Sequence, residues 1–104
     1  MKVTVVIGGL TFPSKRDAIE YYKNVLNRYE DGAEIAGVDA SAIEALLYAR
    51  PDKVAEMAGR KVVRYRRKMH RHNTPCFFAE LDDGKLLDIS YMKFINSYPQ
   101  STGA

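Results

Sequence analysis

Two apolar periods within one short chain restrict its fold more than any other feature. Ala18, Tyr21, Tyr22, Val25, Leu26 and Tyr29 recur three or four positions apart, which lines them along one side of a helix. From Val62 onward the period is two: Val63, Tyr65 and Met69 alternate with Arg64, Arg66, Lys68 and His70, interrupted only by Arg67 on the apolar side. A helical stripe and half-buried strands in 104 residues predict one α+β domain, since a chain of this length buries a single core.

The intervening signals place the remaining elements. Residues 3–7, VTVVI, read as one strand with a bend or bulge at Gly8-Gly9 before Leu10-Thr11-Phe12. Ser14 is placed to cap a helix starting near Lys15, with Asp17 where a capping box carries Glu or Gln. Asp39 or Ser41 caps a short helix carrying Ile43, Leu46 and Leu47, which Pro51 ends; Asp52 caps a further turn or two, and Gly59 takes the left-handed terminal position. CFFAEL (76–81) and LLDISY (86–91) form a hairpin about Asp82-Asp83-Gly84-Lys85. Residues 91–98, YMKFINSY, add a short terminal helix or strand. The expected fold is an antiparallel sheet of three to four strands with two or three helices on one face, a single domain over residues 1–98 with a frayed tail at 99–104.

Charge is unevenly distributed. Net charge is +3, yet seven of the sixteen Lys and Arg fall in residues 60–72, RKVVRYRRKMHRH, which contain no acid. Elsewhere nine cations face thirteen acids, a remainder of −4, so the expected molecule is a mildly acidic body with one basic stripe. The lone Cys76 cannot form an internal disulfide, and Met1-Lys2 leads into an apolar run too short for a signal or a membrane span. The cytoplasm is the expected compartment.

No pattern for catalysis stands out: nucleophile with base, paired carboxylates and metal clusters are all missing from the motifs. His70, His72 and Cys76 follow HxHxxxC, which is not a zinc spacing and lacks a fourth ligand. Asp82 and Asp83 belong to a turn that favours Asp for backbone reasons. Gly8-Gly9 lacks the spacing of a dinucleotide loop. No catalysis, metal or cofactor is expected.

The runs LTFPSKRDAIEYYKNVLNRY and CFFAELDDGKLLDISYMKFI resemble the DCL family, the small domain named for the plant "defective chloroplasts and leaves" protein. The likeness spans roughly residues 5–96 and is carried by Phe12-Pro13-Ser14-Lys15, Leu26-Asn27-Arg28-Tyr29 and Asp88-Ile89-Ser90-Tyr91-Met92-Lys93. It implies a link to ribosomal RNA maturation and no catalytic residue. This chain has Arg50-Pro51 where the family commonly has His-Pro, and Phe94 where it often has Cys, so any role of that His or Cys has no counterpart here.

The basic stripe carries the functional expectation. Alternate strand side chains lie about 6.6 to 6.8 Å apart, comparable to successive phosphates on an extended strand of nucleic acid. Arg60, Lys61, Arg64, Arg66, Arg67, Lys68, His70, Arg71 and His72 are therefore the expected contacts to nucleic acid, RNA above all, with Tyr65 or Phe77 able to stack if exposed. The alternative is a protein-interaction or regulatory module, polymerase-associated or phage-encoded, whose stripe meets an acidic surface. Replacing Arg64, Arg66 and Lys68 is expected to change stability little, as solvated charges do.

Overall fold

The computed structural model describes residues 4–69 and 74–98. Val3, His70, Arg71, His72 and the tail at 99–104 lie outside them.

The bend at Gly8-Gly9 is sharper than expected. Val5–Ile7 (β1) and Leu10–Phe12 (β2) are two strands of an antiparallel hairpin, not one strand with a bulge. Gly8 turns the chain at φ 59°, and a Cβ built there would stand 2.7 Å from the Cβ of Ala45. Glycine thus permits both the turn and the approach of the hairpin to a helix.

Lys15–Arg28 (α1) begins where the cap placed it: Ser14 Oγ accepts from the Asp17 amide at 3.2 Å and donates to the Asp17 carboxylate at 3.0 Å. The apolar stripe is core, with Ala18, Tyr22, Val25 and Leu26 buried, Tyr21 and Tyr29 packed at its margin. After it come Glu34–Ile35 (β3), a strand too short to register in any pattern, and Gly37–Tyr48 (α2). Neither Asp39 nor Ser41 caps α2, whose N-cap is Ala36. The Asp39 carboxylate instead accepts from Arg28 at 2.7 Å and from the Tyr29 hydroxyl at 2.8 Å, and Ser41 donates back to the Gly37 carbonyl at 3.4 Å. Partners in another segment took Asp39, and back-bonding within the helix took Ser41.

Pro51 opens Pro51–Met57 (α3), with Arg50 rather than Asp52 at the N-cap. A proline's missing N–H costs nothing in a first turn. Ala58 and Gly59 then both take positive φ, 52° and 79°. Val62–Met69 (β4), Pro75–Leu81 (β5) and Leu86–Ile89 (β6) follow, with Gly84 at φ 88° in the turn before β6. β6 stops two residues short of its expected end because Ser90 caps Tyr91–Asn96 (α4), accepting from the Lys93 amide at 3.3 Å.

The result is an α+β fold: a four-stranded antiparallel sheet in the order β3-β4-β5-β6, the separate β1-β2 hairpin, and four helices among the described residues. Register sorts the sheet into two faces. Ile35, Tyr65, Ala79 and Leu87 form one cross-strand row of the inner face, and Phe77 and Ile89 belong to the next. All are buried against the helices, where Tyr22 meets Phe77 edge-on and donates its hydroxyl to the Ala42 carbonyl at 3.0 Å. Burial and then the neighbouring Tyr21 push the Tyr22 phenol far above its ordinary pKa. No helix among the described residues is long and apolar enough to cross a membrane.

Candidate nucleic-acid interface

β4 carries the basic stripe, and a β-bulge decides how it is presented. Val62 pairs with Leu81 and Arg64 with Glu80, so Val63 is an extra residue on its strand. Val63, expected in the core, is 51% exposed, whereas Tyr65 on the far side of the bulge is buried. Met69, expected beside Tyr65, is also exposed at the strand end.

Arg64, Arg66 and Lys68 share the outer sheet face. There Arg66 lies in a row with Glu34, Phe78 and Asp88, Arg64 opposite Glu80, and Lys68 opposite Cys76. None of the three is fully exposed. Arg64 contacts Glu80 at 2.7 Å and Glu34 at 3.8 Å; Arg66 reaches the other Glu80 oxygen at 2.9 Å and the Gly32 carbonyl at 3.0 Å. The Arg66 hydrogen bond, aided by the Arg64, Arg66 and Lys68 charges against a smaller burial penalty, holds the Glu80 carboxyl below its ordinary range. These arginines are therefore parts of an ion-pair network, not the freely solvated charges on which the expectation of little change in stability rested.

The other members of the stripe separate. Arg67 is on the inner-face register with Phe77, and its Nε donates to the Leu26 carbonyl at 3.0 Å, satisfying an otherwise orphaned group in the last turn of α1. It is a structural tie, off the outer face. Arg60 pairs with Asp83 at 3.0 Å and lies 3.8 Å from Asp82. Lys61 is exposed, and among the described residues neither it nor Lys68 forms an ion pair. The expected contacts His70, Arg71 and His72 are outside the described residues.

A family model described as "Protein of unknown function (DUF3223)" matches residues 23–95. The chain belongs to the DUF3223 family. This DUF3223 domain is similar to the solution structure of an uncharacterized protein from Rhodospirillum rubrum, at 28% identity and a TM-score of 0.77, over 89% of this chain and 88% of that one. No curated protein matches it.

The aromatic side chain on the cationic face of the DUF3223 domain is Phe78, which sequence reasoning passed over. Tyr65 and Phe77, the expected stacking residues, are both core. Alternation along CFFAEL shows that Phe77 and Phe78 oppose each other, but only pairing with β4 and β6 decides which one faces outward. Glu34 and Glu80 were missed for the same reason: their proximity to Arg64 and Arg66 is a cross-strand relation. Two further cations, Arg50 and Lys53, are each only 8% exposed. Lys53 reaches from α3 to Asp88 at 3.3 Å and Glu56 at 3.5 Å, extending the outer face past the edge of β6.

Proposed function

We propose that the DUF3223 domain is a small nucleic-acid-binding module that receives single-stranded RNA on the outer face of its sheet. The observation that carries this reading is the placement of Arg64, Arg66 and Lys68 on one face, in register with the half-exposed Phe78. Cations spaced along a strand suit phosphates, and an aromatic ring beside them suits a base. The resemblance to the DCL domain, with its implied link to ribosomal RNA maturation, supports the same reading, as does the concentration of positive charge in residues 60–72.

Glu80 sets the condition for binding. Phosphate has to compete with this carboxylate for Arg64 and Arg66, whereas Lys68 is available without exchange. In a titration of labelled single-stranded RNA followed by anisotropy, Lys68→Gln should weaken binding to all sequences and flatten the log affinity against log salt slope by about 0.7. Glu80→Gln, which removes the internal competitor, should tighten binding. Absence of binding by the parent at low salt, or unchanged affinity in both variants, would falsify the proposal.

One observation favours a second reading. On the outer face Glu34, Glu80 and Asp88 offset the cations, and Leu86 is exposed opposite Glu80. A charge-mixed face with apolar members suits docking to a protein, a polymerase or another regulatory partner. Lack of RNA binding would move the assignment there.

A further inference from the structure

Arg50 is the buried cation whose partners least account for it. A guanidinium carries five N–H donors. Among the described residues those of Arg50 make two hydrogen bonds, one from Nη2 to the Asp52 carboxylate at 2.9 Å and a long one from Nη1 to the Ser90 carbonyl at 3.4 Å. Burial of a cation is unfavourable without full pairing. Arg50 lines a surface cavity of about 380 Å³ at the corner between α2 and α3, whose lining also includes Lys93 of α4, Asp52, Phe94 and Ser97. Among the described residues Lys93 forms no ion pair. Ser97 supplies no free hydroxyl donor, because it donates to the Lys93 carbonyl at 2.8 Å and lies 3.2 Å from that of Phe94.

We propose that this cavity binds a phosphate monoester. Two cations match a dianion, and the planar fork of Arg50 suits two of its oxygens while Lys93 acts as a point charge. Asp52 is the internal stand-in. Burial raises its carboxyl, but the hydrogen bond and charge of Arg50 outweigh that effect and leave its pKa below the ordinary value. Its side chain is 60% exposed, so leaving Arg50 for water costs it little. A water molecule's share of liquid volume is about 30 Å³, so the cavity has room for a phosphoryl group and the first part of what it is attached to. The inference does not rest on RNA binding at the sheet, which uses other residues.

The test is a heteronuclear NMR titration of the full chain with inorganic phosphate, then with a nucleoside 5′-monophosphate. Saturable shifts are expected at the Arg50, Asp52 and Lys93 amides. Lys93→Gln, at an exposed position, should raise Kd about tenfold, and Asp52→Asn should lower it, because the competing carboxylate is gone. A 5′-phosphorylated oligonucleotide that binds more tightly than its unphosphorylated form identifies a nucleic-acid end as the source; a sugar phosphate that matches the mononucleotide identifies a small phosphorylated metabolite. The proposal is overturned if no saturable shift develops at these amides by roughly 20 mM phosphate, or if Kd is the same in both variants.

Discussion

Tyr65 shows how a single atom can be left behind by good packing. Its ring fills the inner sheet face, yet its buried hydroxyl has no hydrogen-bond partner among the described residues. Burial, then the charges of Glu44 and Tyr48, raise its pKa far above the ordinary value, so it stays a neutral phenol. Tyr65→Phe should therefore keep or increase stability, by about 1 kcal/mol at most, seen as an unchanged or higher Tm. A loss of that size would show that the hydroxyl has a partner. Cys76 is half-buried, and burial pushes its thiol up, reinforced by the Asp88 charge and opposed by smaller contributions from the Ile89 and Phe77 carbonyls and Lys53. It should alkylate with iodoacetamide at neutral pH far more slowly than in denaturant; equal rates would contradict this burial. Glu80 contributes to the pH dependence, alongside Asp52. Its folded pKa lies below the ordinary 4.5, so its stabilising effect is complete above that value and is lost as pH falls toward the folded pKa. Glu80→Gln should flatten the acid limb of a stability profile without touching the alkaline limb.

At the scale of elements, boundaries follow the side chains that caps and turns require. Ser14→Ala removes the acceptor for the Asp17 amide and should cost about 1 kcal/mol in denaturant unfolding. Gly8→Ala meets two obstacles, a positive φ and Ala45 at 2.7 Å, so a larger loss of roughly 1–3 kcal/mol is expected. If Gly8→Ala is neutral, the hairpin does not seat on α2 as described. β4 shows how far one inserted residue reaches. The bulge at Val63 sets the parity of every residue after it, placing Tyr65 inward and Arg64, Arg66 and Lys68 outward together.

For the molecule as a whole, one apolar cluster joins the hairpin, the helices and the inner sheet face: Val5, Ile7, Tyr22, Leu46, Phe77, Ile89 and Ile95 all belong to it. A single shared core predicts a single cooperative transition. Tyrosine fluorescence, which reports packing, and far-ultraviolet circular dichroism, which reports backbone, should give coincident denaturation curves; separated midpoints would show that the hairpin or α4 unfolds independently. The charge pattern also changes meaning at this scale. A sequence with a basic stripe and an acidic remainder folds into a protein in which much of the stripe is matched: Arg60 by the turn acids, Arg64 and Arg66 by glutamates, Arg67 by a helix carbonyl.

Local and periodic information was legible without coordinates. The stripe from Ala18 to Tyr29 specified α1 and its buried side, Ser14 its start, Asp82 to Lys85 the hairpin turn, and the period-two run the strand character of β4, because each depends on neighbours within a few positions. The antiparallel α+β class followed from their order. What the sequence left open depends on contacts between distant segments. The two residues of β3 form a strand only because β4 offers them an edge. Asp39 forgoes its capping position because Arg28 and Tyr29 reach it from another helix. The outward choice of Phe78 over Phe77, the pairing of Glu80 with two arginines and the meeting of Arg50 with Lys93 at one cavity were decided by tertiary structure, since strand register and helix packing bring together residues whose separation in sequence carries no local signal.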